Sequence, residues 1–189
     1  MEDGRKIHAY YENPIDNIII DFCDYVSPFL YKYRVTPNMI TTASLLCCLI
    51  SVYELYKGNG RLAAAFWAFN YIFDTMDGNF ARKYNMETKF GDWYDHTTDV
   101  LGFILICIML IYQKKVTRRN AIILFILIYG AFIHLTNQEK ISTAKTSDSL
   151  NLIDKYIYIP DIDITYSRYI GCGTFNAFLI YIIYITQVD

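Results

Sequence analysis

Between positions 74 and 99 the chain carries acidic side chains at helical spacing. Asp74 and Asp77 stand i,i+3, while Asp95 and Asp99 stand i,i+4 with Gly91 one further turn back. On two neighbouring helices those spacings turn four carboxylates towards one point. Four unopposed negative charges a few ångströms apart repel strongly where water is scarce, and divalent cations are the simple remedy. An all-oxygen donor set, without cysteine and with His96 only at its edge, suits Mg²⁺ or Mn²⁺ rather than zinc. Two such ions, roughly 3.5–4 Å apart, polarise a phosphoryl group and stabilise its leaving oxygen. Gly78, directly after Asp77, lets a bulky ligand approach the helix closely. Ala81 keeps the same surface low, and Arg82 offers a fork of donors to a diphosphate.

The stretches that must hold these residues are strongly apolar. Of 189 residues, 54 % are hydrophobic, 17 % aromatic and only 19 % charged, which points to a membrane protein. A formal net charge of −2 lacks the basic footprint that a nucleic-acid partner requires. The five cysteines are odd in number and without zinc spacing, and those inside apolar runs read as small hydrophobes. The first 17 residues contain no apolar run, so no signal peptide is expected there.

Two regions follow from the apolar pattern. Residues 1–35 form a tail and an amphipathic helix lying at the membrane interface, with Ile18, Ile19, Ile20, Phe22, Val26 and Phe29 mixed among Asp16, Asp21 and Asp24. Residues 36–189 form the transmembrane domain. Its helices are predicted over 39–56, started by Pro37, then from about 62 through the first aspartate pair, then 90–112, 120–135 and 170–185. Residues 135–167 read as polar and irregular. Irregular backbone cannot face lipid, so the expected architecture is all-α, a polytopic transmembrane helical bundle of five to six spans. Five spans are clear; "LNLIDKYIYI" at 150–159 would form a short or re-entrant element, or the chain is a reduced version whose sixth span comes from a partner chain, as in a homodimer. Most basic residues, among them Arg5, Lys6, Arg34, Arg82, Lys83 and Lys89, fall on the aspartate side. Lys57, Arg61, Lys114, Lys115, Arg118 and Arg119 fall on the other, a bias that puts the aspartates at the cytoplasmic face.

The stretch "DTMDGNFARKYNMETKFGDWYDHTTD" resembles the signature of the CDP-alcohol phosphotransferases, D-x-x-D-G-x-x-A-R, eight residues, then G-x-x-x-D-x-x-x-D. Asp74, Asp77, Gly78, Ala81, Arg82, Gly91, Asp95 and Asp99 fill every fixed position. The upstream "TPNMIT" is also similar to the family, and the resemblance covers about 12–134. It implies an integral membrane enzyme of phospholipid biosynthesis that moves a phosphatidyl or phospho-alcohol group from a CDP-linked donor to a hydroxyl and releases CMP. By the same resemblance Asp74, Asp77 and Asp95 hold the metals. Asp99 takes the proton from the attacking alcohol and also touches the second metal. Gly78, Ala81 and Arg82 contact the CDP moiety, joined by Pro37, Asn38 and Thr88, while His96 assists or holds a hydroxyl.

Overall size and "ARKYNMETKFG" look more like enzymes that use CDP-diacylglycerol with an alcohol such as inositol phosphate or glycerol phosphate. Lys83, Lys89 and Lys140 are candidates to meet the phosphate of such an acceptor. Tyr94-Asp95-His96 instead resembles the "F-D-H" of the branch that transfers choline or ethanolamine phosphate to diacylglycerol. From a different class, a divalent-cation transporter or channel would also place aspartates at helix ends. It would want them along a through-path, whereas here all four fall towards one side of the membrane.

Overall fold

A computed structural model of the chain describes residues 4–114, 116–142, 160 and 162–186. Each apolar run becomes a helix whose start is written in its first residues. Helix α1 (Pro14–Lys32) begins where the Asn13 side chain accepts a hydrogen bond from the Ile15 amide at 2.9 Å and Pro14 takes the first turn. Pro37 likewise opens α2 (Pro37–Tyr56). Helix α3 (Gly60–Lys83) stops before Asn85, whose φ of 54° turns the chain into α4 (Lys89–Tyr112). Thr88 caps α4 by accepting from the Gly91 amide at 3.0 Å. Thr117 caps α5 (Arg118–Ile141) in the same way, through Asn120. A single-turn α6 (Ile164–Ser167) and a 3-10 turn (Arg168–Ile170) then lead into α7 (Cys172–Ile185).

All regular structure among the described residues is helical, as the apolar pattern requires. Four segments are long and apolar enough to cross a membrane: Pro37–Tyr56, Lys89–Tyr112, Arg118–Ile141 and Ile164–Ile185. Helix α3 matches them in length but not in apolarity, because Asn70, Asp74, Asp77, Asn79 and Arg82 load its second half with polar groups. It is instead the inner helix, with Ala63, Ala64, Trp67, Met76 and Phe80 all buried against α1, α2 and α7. The 150–159 stretch lies outside the described residues.

Helix α5 runs six residues beyond the end expected from its apolar pattern. Asn137 and Gln138 fall within the stretch expected to be a polar connection, yet both are buried helix residues with internal partners. Their polar groups face other helices rather than water, so polarity alone misplaces the boundary.

Packing is closest where side chains are small. A Cβ at Gly102 of α4 would come within 2.8 Å of the Cys48 sulfur on α2, so these helices meet nearly backbone to side chain. Between α2 and α3, Ser51 donates to the Ala63 carbonyl at 2.8 Å, and Ser44 exchanges hydrogen bonds with Asn70. Helix α2 therefore carries both α3 and α4. Among the described residues those two barely pack on each other, which leaves a gap between the helices that bear the carboxylates.

Helix α1 closes the same end from the side. Its inner face buries Asp16, Ile20, Cys23 and Ser27, while Ile18, Phe22, Tyr25 and Phe29 stand exposed on the opposite face. Pro28 has no amide hydrogen to offer the Asp24 carbonyl. Lys83 of α3 takes that carbonyl instead at 3.0 Å, and pairs with the Asp24 carboxylate at 2.8 Å. A helix defect in α1 thus becomes a docking point for α3.

Candidate active site

The carboxylates converge across the gap between α3 and α4. Oxygens of Asp74, Asp95 and Asp99 lie within 4.8 Å of one another, close enough to share a cation. Asp74 and Asp77 each approach Asp95 within hydrogen-bonding reach, and Asp74 also reaches Asp99. Asp77 sits deeper than the other three, 4 % exposed, with its Oδ2 accepting from the Thr41 hydroxyl at 2.5 Å. Thr41 on α2 therefore fixes the orientation of a carboxylate on α3, and no sequence spacing announced it.

The donor chemistry fits a hard divalent ion. Asp95 Oδ1 is buried without a hydrogen-bond partner, an arrangement that is costly for a carboxylate oxygen unless a cation meets it. Among the described residues no cysteine or histidine joins the oxygen cluster. Cys172 lies nearby at the start of α7, but its surroundings are acidic rather than thiolate-stabilising.

Around this centre the other predicted residues take distinct places. The Arg82 guanidinium folds back over Gly78, so that a Cβ there would stand 3.1 Å from Nη1. Its Nε donates to the Gly4 carbonyl at 2.9 Å, which brings the N-terminal segment against the end of α3. Ala81 is partly buried on the same helix. Gly91, Thr88 and Asn38 meet at one point, where a Cβ on Gly91 would lie 3.0 Å from Thr88 Oγ1 and 3.2 Å from Asn38 Oδ1. Pro37, Asn38 and Thr88 line a recess of about 340 Å³ together with Thr36, Asn85, Met86 and Glu87.

His96 points its Nδ1 at the Asp92 carbonyl, 2.8 Å away, and stands 3.9 Å from Asp95 Oδ2. Its ring is thus anchored on α4 beside the acidic centre. Lys83 faces α1 and is paired there with Asp24.

Comparison with known proteins agrees with this geometry. The profile of the CDP-alcohol phosphatidyltransferase family matches residues 34–185. An archaetidylinositol phosphate synthase of Pyrococcus horikoshii is 37 % identical over 73 residues, 39 % of each chain. A CDP-diacylglycerol–glycerol-3-phosphate 3-phosphatidyltransferase of Rickettsia felis is 32 % identical over 82 residues, 42 % of this chain and 44 % of the relative. An uncharacterized protein of Aquifex aeolicus is 32 % identical over 95 residues, 50 % of this chain and 44 % of the relative. The chain spans less than half the length of each of these relatives. No solved structure matches it.

Proposed function

Because the chain belongs to the CDP-alcohol phosphatidyltransferase family, we propose that it transfers a phosphatidyl group from CDP-diacylglycerol to the hydroxyl of a small alcohol and releases CMP. The observation that carries this reading is the meeting of Asp74, Asp95 and Asp99 oxygens within 4.8 Å, with a buried, unpartnered oxygen on Asp95. Asp74, Asp77, Asp95 and Asp99 would hold two divalent cations, Mg²⁺ or Mn²⁺. When bound, these neutralise the diphosphate and favour departure of CMP.

The remaining steps belong to the chain. Arg82 leaves its Gly4 contact or shares it, and its terminal nitrogens over Gly78 hold diphosphate oxygens. Pro37, Asn38 and Thr88 border the nucleotide in their recess. Asp99, the most exposed carboxylate of the triad, accepts the proton of the attacking hydroxyl as that oxygen closes in line on the β-phosphorus. His96, pinned through Nδ1, presents its other nitrogen to the acceptor.

The acceptor we favour is a phosphorylated alcohol of the inositol phosphate or glycerol phosphate kind, as in the names of two relatives. The second reading, aminoalcohol phosphate transfer to diacylglycerol, rests on Tyr94-Asp95-His96. We place the aspartate end at the cytoplasmic face, with the outer face of α1 lying in the lipid interface. Purified protein given CDP-diacylglycerol or CDP-aminoalcohols against a grid of acceptors discriminates these readings. CMP should appear only with CDP-diacylglycerol and a phosphorylated polyol. Release confined to CDP-aminoalcohol with diacylglycerol would move the protein to the other branch.

A further inference from the structure

Helices α3 and α4 hold the carboxylates, but among the described residues their backbones barely approach each other. The place of Asp74 relative to Asp95 and Asp99 must therefore come from the other neighbours of α3. One is α2, through Thr41. The other is a buried polar knot where α1, α3 and α7 meet.

At its centre is Asp16, 7 % exposed. One carboxylate oxygen accepts from the Tyr71 hydroxyl, and the other accepts from the Gly173 amide at 3.2 Å. Tyr71 lies one turn before Asp74 on the same face of α3, and both Asp16 and Asp74 lie within electrostatic reach of its phenol. Gly173 is where it is because nothing larger fits. A Cβ there would stand 2.5 Å from Asn13 Oδ1 and 2.5 Å from Asp16 Oδ1. Asn13 completes the clamp by donating to the Arg168 carbonyl at 2.6 Å and to Thr174 at 2.9 Å.

We propose that Asp16 is a positioning residue for the acidic centre, locking α3 to α7 through Tyr71 and Gly173 and so fixing where Asp74 stands. Neither Asp16 nor Tyr71 belongs to the aspartate signature. This inference rests on the metal-centre reading above and adds the residues that hold the centre in register. Loss of the Tyr71 hydroxyl removes the only link from the Asp16 carboxylate to α3 among the described contacts, while leaving the ring's packing intact.

The test is Mn²⁺ binding, followed by electron paramagnetic resonance on the full chain in lipid nanodiscs, beside thermal midpoints and CMP release. Tyr71→Phe and Asp16→Asn should each weaken Mn²⁺ binding by about tenfold, in the range seen when supporting groups around a metal site are removed. The double variant should be no worse than either, since both act through one link. Ser51→Ala, which loosens α3 at its far end, supplies the comparison: it should lower the midpoint and leave Mn²⁺ affinity unchanged. Wild-type affinity in Tyr71→Phe, or an equal loss in Ser51→Ala, overturns the positioning role alone. A wild-type chain that binds no Mn²⁺ overturns the metal centre and this inference together.

Discussion

Thr41 and Asp99 show how unequal the contributions of single residues to this site are. Asp99 is the exposed carboxylate of the cluster and the base in the function proposed above, so Asp99→Asn should lower kcat by about 10²–10⁴-fold while donor binding survives. Near-normal turnover would remove Asp99 from that role. Thr41 acts on substrate only through Asp77, whose deep carboxylate it orients with one short hydrogen bond. A hydrogen bond to a charged group contributes about 1.5–3 kcal/mol. Thr41→Val should therefore raise the Mg²⁺ concentration needed for half-maximal turnover by roughly tenfold, with little change in the KM for donor. An unchanged Mg²⁺ curve would mean that Asp77 needs no such support. The four carboxylates were legible because helical periodicity puts their spacing on one face. Thr41 was legible only as the end of "TPNMIT" and not as the partner of Asp77, since its bond bridges 36 residues.

At the level of elements, α1 has two faces with different work. Inside, burial more than any partner pushes the Asp16 carboxyl up to about 6, with Tyr71 opposing and Glu12 adding to the rise. A carboxyl raised in the fold favours its protonated form there. Its stabilising contribution is fully present below about pH 4 and is lost as pH climbs through about 6. Roughly 1.4 kcal/mol per pKa step makes that loss about 3 kcal/mol. The thermal midpoint of the wild type should thus fall relative to Asp16→Asn as pH rises from 4 to 7; parallel curves would show that Asp16 titrates normally. A buried ionisable group that costs stability at neutral pH is better understood as fixing geometry.

Outside, Tyr25 is 85 % exposed on the apolar face of α1. A Trp placed by Tyr25→Trp should be quenched by lipids brominated near the headgroup. Quenching by an aqueous quencher instead would lift α1 off the membrane. Alternation of apolar and acidic residues made α1 legible. The glycines at 171 and 173 did not disclose their purpose, because close approach by Asn13 and His134 depends on partners far along the chain.

The whole molecule is a set of helices that leaves a polar gap at one end. Apolar composition gave the bundle directly, since backbone in lipid must bond within its own helix. What composition could not give was the division of labour. Helix α3 reads as one more span, and the structure adds that it is the inner helix around which α1, α2 and α7 assemble. Helix α5 looked shorter than it is, because Asn137 and Gln138 find partners inside the protein rather than in water. The acidic centre is consequently built by third parties, with α2 and α1 holding in place two helices whose carboxylates repel.

The central claim is that these carboxylates gather divalent cations to cleave a CDP-linked lipid. Its most direct test is CMP release from CDP-diacylglycerol by the purified chain in lipid, titrated with Mg²⁺ or Mn²⁺ and repeated with Asp95→Asn. The account predicts CMP formed in step with phospholipid product, abolished by chelation, restored by either ion, and lost in the variant. CMP release that persists in chelator, or that Asp95→Asn leaves intact, would contradict it.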